Sequence, residues 1–211
     1  MLQPIDQIQA IIGADFGGGF FGGSVSVDLK PYVIVIAPKG SGERVDLPLV
    51  NHPSNQAIAL SPTDGLSNTQ ALATSGSQLS QWALDLHIGG FSDWYLPSIA
   101  ELRILCANID ALNYLMLTPI LDPSKAKDAG PLYHEFENLL FPDLKPEICK
   151  INAQLFQSSG SEAFATSSYW SSTLTKDGLV AIECFTSNGG YDSFGSGTEI
   201  LSARAIRKVA I

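Results

Sequence analysis

Residues 91–102 read Phe91-Ser92-Asp93-Trp94-Tyr95-Leu96-Pro97-Ser98-Ile99-Ala100-Glu101-Leu102. The first part is rich in aromatics and ends on a proline, which holds the residue before it in extended backbone. Ser98 with Glu101 three residues later is a capping box, in which each side chain satisfies a free backbone N–H of the other. A strand-like segment therefore hands over to a helix at a defined residue. That helix is expected to run to about Asn108, with Ile99, Leu102, Leu105, Cys106 and Ile109 facing inward.

Upstream, residues 64–75 have a helical pattern that stops at Gly76, a good C-cap. Ser77 caps a second helix over 78–86, with Leu79, Trp82, Ala83 and Leu86 at core spacing, and His87-Ile88-Gly89-Gly90 ends it. Residues 38–63 read as loop with one or two short strands. Before them, Ser24–Asp28 and Tyr32–Ala37 are strand candidates, with Lys30-Pro31 as the expected hairpin turn. The glycine-rich run Asp15–Gly23 has no following Lys-Ser/Thr. It reads as a tight backbone crossing with three anchored Phe side chains rather than a phosphate loop. Ile5, Ile8 and Ile12 suggest a short N-terminal amphipathic helix that docks on the chain's own core or on a partner.

Downstream, Pro119, Pro123, Pro131, Pro142 and Pro146 break residues 110–160 into short pieces. From Ser168 onward the character changes. Ser168–Thr173, Val180–Thr186 and Leu201–Val209 read as antiparallel strands, and Asn188-Gly189 is a hairpin signal. Trp94 and Trp170 fall in strand-like segments and are assigned to the core. Strands, then helices, then loops, then strands make the chain α+β.

The 211 residues are 45% hydrophobic and only 16% charged, which excludes a disordered chain or a coiled coil. The formal charge of -9 has no compensating run of Lys or Arg, so neither a nucleic acid nor an anionic membrane is an expected partner. No stretch is apolar enough for membrane insertion, and the N-terminus lacks the pattern of a secretory signal, so synthesis in the cytoplasm is expected. Three cysteines, Cys106, Cys149 and Cys184, form no CxxC and read as buried apolar side chains.

Catalytic patterns are missing. His52, His87 and His134 stand in no motif, and GxSxG, HExxH, EF-hand and P-loop spacings do not occur. No cofactor, metal ligand or catalytic residue is assigned, and the chain is expected not to be an enzyme. The late stretch Tyr191-Asp192-Ser193-Phe194-Gly195-Ser196-Gly197 instead has a recognition composition: rigid aromatic area beside small hydrogen-bonding groups. Aromatics among small polar groups also suit the C–H faces of sugars.

The stretch from Phe91 to Ser98 with Glu101-Leu102 resembles the signature G-x-x-D-W-[RY]-L-P-[ST]-x-x-E-L of the family that includes the C-terminal domain of the Legionella collagen-like adhesin. Tyr169-Trp170-Ser171-Ser172-Thr173, Phe185, Asn188-Gly189 and Ala203-Arg204-Ala205-Ile206-Arg207 resemble that family's Y-W-S-S-T, F-x-x-G and V-R-A-V-R ending, in the same order. The resemblance covers roughly residues 61–211. Asp15–Gly23 and Tyr32–Lys39 look like the longer form found in tailed-phage proteins.

This resemblance implies a C-type-lectin-like domain with twisted antiparallel strands, two or three helices and long loops. The same fold carries the variable proteins of diversity-generating retroelements and the formylglycine-generating enzymes. It implies a division into residues 1–15 as an attachment arm, 16–60 as a β extension and 61–211 as the lectin-like domain. The ligand-facing surface is implied around Tyr191, Asp192, Ser193, Phe194, Glu183 and Asp177, with the Trp-Ser-Ser strand and Arg204/Arg207 as scaffold. The Glu-Pro-Asn, Gln-Pro-Asp and Trp-Asn-Asp triplets of calcium-dependent lectins are absent.

The expectation is a non-catalytic receptor-binding or adhesion module of a phage tail fibre or tail tip, part of the virion. Its partners would be host-surface glycan or another envelope receptor and other tail or baseplate proteins, with a homo-oligomer, a trimer above others, giving avidity. A structural adaptor or decoration protein that binds only other particle proteins is the alternative. An oxidase of the formylglycine type would need a copper held by paired cysteines.

Overall fold

The computed structural model describes residues 12–27, 30–51, 60–115, 153–156, 159–185 and 191–210. In chain order they form β1 (Asp15–Phe16), β2 (Gly19–Val27), β3 (Lys30–Ile36), α1 (Lys39–Gly42), β4 (Glu43–Arg44), α2 (Gly65–Thr74), α3 (Gln78–Leu84), α4 (Ile99–Leu115), α5 (Ala153–Phe156), β5 (Ser168–Leu174), β6 (Val180–Cys184), β7 (Tyr191–Gly195), β8 (Ala203–Arg204) and β9 (Ile206–Ala210). Three sheets result, in the orders β1-β2-β3-β9, β4-β8 and β5-β6-β7. All strand pairs in these sheets are antiparallel. Helices and antiparallel sheets are thus mixed in one architecture, as α+β requires. The residues expected as an arm below Ile12, and the proline-rich stretch 116–152, lie outside the described residues.

The first sheet joins the two ends of the described chain. β3 pairs along its length with β9, from Tyr32↔Ala210 to Ile36↔Ile206. β1, β2 and β3 therefore share a sheet with the last strand. Val33, Ile34, Val35 and Ile36 are all buried, as expected of a strand covered on both faces. Each such side chain taken fully from water stabilises the fold by about 1.5–3 kcal/mol. The helix α4 lays Leu102, Leu105 and Ile109 into the same cluster as Phe21, Trp94, Tyr95 and Ile206.

Local rules set the helix ends. Asp64 accepts the Ser67 N–H, and Ser77 Oγ accepts the Ser80 N–H at 3.1 Å. At the far end of α2, Ser77 N–H bonds Leu72 O and Gly76 N–H bonds Ala73 O, with Gly76 at φ +92. That is a Schellman motif. The capping box forms: Ser98 N–H donates to Glu101 Oε2 at 2.9 Å and Glu101 N–H to Ser98 Oγ at 3.3 Å. α4 continues past Asn108 to Leu115, and the Asn108 side chain donates to the Gly22 carbonyl at 2.8 Å.

The extended residues 94–98 lie between two sheets and fasten both. Tyr95 and Ile206 exchange backbone hydrogen bonds at 2.9 Å, and Ser172 N–H donates to Pro97 O at 2.8 Å. The charged members of the motif are fasteners too. Asp93 holds Arg207 through two bonds, at 2.6 and 2.8 Å, while Arg207 lies 3.8 Å over the Phe91 ring. Glu101, only 1% exposed, accepts from Tyr95 OH at 2.8 Å and Lys208 Nζ at 3.3 Å. Arg204 is fully buried and donates to Ala37 O, Glu43 and Glu162. Buried guanidinium groups need this complete set of acceptors.

Two expectations shift. Lys30 and Pro31 do not form the hairpin turn but open β3, opposite Val27 and Ser26. Pro31 precedes the part of β3 that pairs with β9, where its missing N–H costs no bond. The last strand divides at Ala205: β8 pairs with β4, and β9 with β3. Ala205 donates to Gly42 O and accepts from Ala37 N–H at the crossover, and it is fully buried. The glycine-rich run is a backbone crossing. Gly17-Gly18, both at positive φ, turn β1 into β2, and Gly89-Gly90, also both positive, turn Ile88 back on Phe91. A Cβ on Gly18 would come within 3.1 Å of the Gly89 Cα, so the two turns pack backbone to backbone.

Candidate functional site

The sheet β5-β6-β7 is rooted on one side and open on the other. β5 is rooted by its small hydroxyls. Ser171 Oγ donates to Ala181 O at 2.7 Å, Ser172 Oγ to Leu96 O at 3.0 Å, and Thr173 Oγ1 to Ser61 O at 2.9 Å. Trp170, fully buried, packs its face of the sheet into a second cluster with Leu49, Leu72, Leu79, Leu96, Val180 and Ile182. β6 is the middle strand, buried throughout, and β7 is the edge.

The hairpin between β5 and β6 is tight. Gly178 N–H bonds Thr175 O, Thr175 N–H bonds Leu179 O, and Gly178 sits at φ +76. This is the three-residue loop with a left-handed last position. It presents Lys176 and Asp177 to solvent, and Leu179 is 43% exposed.

The register decides which predicted residues meet. Glu183 faces Asp192 across β6 and β7, Ala181 faces Phe194, and Ile182 faces Ser193. Side chains alternate along a strand, so Glu183, Asp192, Ala181 and Phe194 share the α4 side, and Ser193 points to the other. Glu183 is buried, at 4% exposure, and Phe194 is 45% exposed. Asp177 stands apart from these at the hairpin tip. Tyr191 pairs with Cys184 through its backbone. Its side chain, and the expected turn at Asn188-Gly189, lie outside the described residues.

Arg103 of α4 joins the two carboxylates. Its Nη2 is 2.7 Å from Asp192 Oδ2, and its Nε is 3.8 Å from Glu183 Oε2. Arg103 was not singled out from the sequence. It lies one turn after Ile99 at the margin of the apolar stripe, a position that looks merely solvent-facing until the sheet register is known. Leu179 was missed as well, because its exposure depends on the hairpin loop.

Past β7 the chain folds back over Ser196–Glu199. Glu199 Oε1 accepts the Ser196 N–H at 3.1 Å, and Ser196 Oγ lies 2.8 Å from Thr198 Oγ1. Partial burial opposes ionisation of Glu199, but the hydrogen bonds it accepts outweigh this and hold its pKa below the ordinary carboxylate value. Val50 N–H ties the loop down through Gly197 O at 3.0 Å.

Among the described residues, no group of three or more His, Cys, Asp or Glu is placed to hold a metal ion. Cys106 and Cys184 are buried thiols. Cys149, His52 and His134 lie outside the described residues. His87 is exposed at the end of α3, bonded through Nδ1 to Asp85 O. No helix among the described residues is long and apolar enough to cross a membrane. The arrangement offers an exposed ring, a carboxylate fixed by a guanidinium and a rigid sheet beneath them, which are the elements of a binding face. Comparison with family models, with curated proteins and with solved structures finds no match for the chain.

Proposed function

We propose that the chain is a non-catalytic receptor-binding module of a phage tail, a C-type-lectin-like domain that docks on host-surface glycan. The observation that carries the reading is Phe194, a ring 45% exposed on an edge strand, two residues from a carboxylate that Arg103 holds at 2.7 Å. An exposed aromatic offers its face to the C–H surface of a sugar ring. A carboxylate held at fixed geometry accepts hydrogen bonds from sugar hydroxyls without a large ordering cost.

The fold reading draws support from the pairing of the first long hairpin with the last strand, and from a second sheet whose β5–β6 hairpin and 196–200 loop turn outward. The resemblance of residues 91–102 and 169–173 to the adhesin family points the same way. So does the use of those residues: Trp94, Trp170, Arg204 and Arg207 are buried in scaffold contacts, which leaves the late loops to vary. Docking would be non-covalent, and presentation of several copies, a trimer above others, would raise avidity by about 10²–10⁴ over a single site.

The test is binding of the purified, labelled chain, displayed as a multimer, to intact bacterial cells. Saturable binding that the cells' own envelope polysaccharide competes away is the expected result. Absence of cell binding, together with capture of isolated tail or baseplate proteins, would instead make the chain a structural adaptor.

A further inference from the structure

We infer that the β7 face takes an uncharged saccharide and rejects acidic ones. The inference rests on the glycan reading above and concerns the ligand class of the same face.

The argument starts from charge. The face shows Asp192, its side chain 34% exposed, beside Phe194, with exposed Asp177 at the neighbouring hairpin tip. Among the described residues, two cations belong to this sheet, its hairpin and α4. Arg103 is held by Asp192 and Glu183 together, so its charge is balanced within the protein. Lys176 sits beside Asp177 at the exposed hairpin tip, so the tip carries one charge of each sign and no net charge. A uronate, sialate or phosphate group brought to this face would meet a carboxylate before it met a cation with charge to spare. Like charges in contact with no desolvated partner are repelled. The whole chain, at -9, adds a field of the same sign.

The apolar side of the face argues for sugar surface rather than a bare anion. Phe194 lies opposite Ala181, and Leu179 lies two residues before Ala181. Strand alternation puts the ring and Leu179 on one side of the sheet as diagonal neighbours. Both are close to half exposed. This flat strip suits the C–H face of a pyranose. The Asp192 side chain is about one third exposed, and its carboxylate can accept from a hydroxyl pair at the sugar's edge. Arg103 is a positioning residue here: it fixes the Asp192 carboxylate through Oδ2.

The test uses the full chain on intact cells with three soluble competitors: a neutral polysaccharide (mannan or dextran), an acidic one (polygalacturonate) and an amino polysaccharide (chitosan oligomers). The neutral competitor is expected to displace the chain at least tenfold better than the acidic one. Asp192→Asn should weaken neutral competition severalfold and let the acidic polymer compete. Arg103→Lys, which keeps a cation beside buried Glu183, should weaken neutral competition while the melting temperature stays within a few degrees of the parent, whereas Arg103→Gln should lose both binding and stability. Best competition by the acidic polymer, weakening as salt rises, would overturn the inference and leave the glycan reading standing. Best competition by the amino polymer with loss at high salt would overturn it too, in favour of a cationic ligand. Cell binding that none of the three competitors nor the cells' own polysaccharide disturbs would overturn the glycan reading itself.

Discussion

Glu101 has four protein donors around one carboxylate: the Tyr95 hydroxyl, the Ser98 N–H and hydroxyl, and the Lys208 ammonium. Its capping role was legible in the sequence, because Ser-x-x-Glu is a local pattern. Its hold on Lys208 was not, because the two are distant in the chain and meet only when β9 closes the first sheet. Removing a buried partner leaves the others desolvated and unpaired, so Glu101→Ala is expected to cost about 3–5 kcal/mol in urea unfolding. A loss under about 1 kcal/mol would show that the network is not a fastener.

Two tyrosines extend the residue-scale argument to pH. Burial first, then the Glu101 carboxylate, push Tyr95 well above its ordinary 10.0, and burial with Glu43 pushes Tyr169 upward likewise. Both stay neutral in the folded chain where the unfolded chain begins to ionise them. The unfolded state then binds fewer protons, so stability is intact below about pH 10 and falls above it, by about 1.4 kcal/mol per pH unit for each group. Denaturant unfolding at pH 9 to 11.5 should show the slope, and Tyr95→Phe should reduce it. An unchanged slope in that variant would contradict the assignment.

At the scale of elements, helix caps were legible in the sequence, and the β2–β3 turn and the element boundaries less so. Gly76 was legible as a C-cap because a helix that ends in a left-handed residue favours glycine. α4 was expected to end near Asn108, yet it runs on to Leu115. Pro31 looked like a turn, yet the strand began just ahead of it. The glycine pairs separate conformation from packing. Gly76 sits at φ +92 with open space where a Cβ would go, so Gly76→Ala should cost only about 1 kcal/mol. Gly89 sits at φ +61 with its would-be Cβ on the Cα of Gly18, so Gly89→Ala must also push two backbones apart. It should cost about 1–3 kcal/mol more. Equal losses in thermal or urea unfolding would mean the turns do not pack as described.

The whole molecule divides labour between its sheets. The first sheet joins both ends of the described chain and packs α4, and residues 94–98 couple it to the β5-β6-β7 sheet. That sheet carries a buried face toward Trp170 and an open edge at β7. The α+β order was legible because helix and strand periods differ along the chain. Of the candidate site, the exposure of Asp192 and Phe194 was legible from the polar, glycine-rich composition around them. The buried setting of Glu183 was not, since it follows from the register with Asp192 and from Arg103 on a helix far away in sequence.

The claim that β7 is a binding face, not a piece of core, is most directly tested by one paired measurement on Phe194→Ala: cell binding and melting temperature on the same preparation. An exposed ring contributes little to folding, so the account predicts binding reduced at least tenfold and a melting temperature within a few degrees of the parent. Full binding retained, or a melting temperature that collapses, would contradict it.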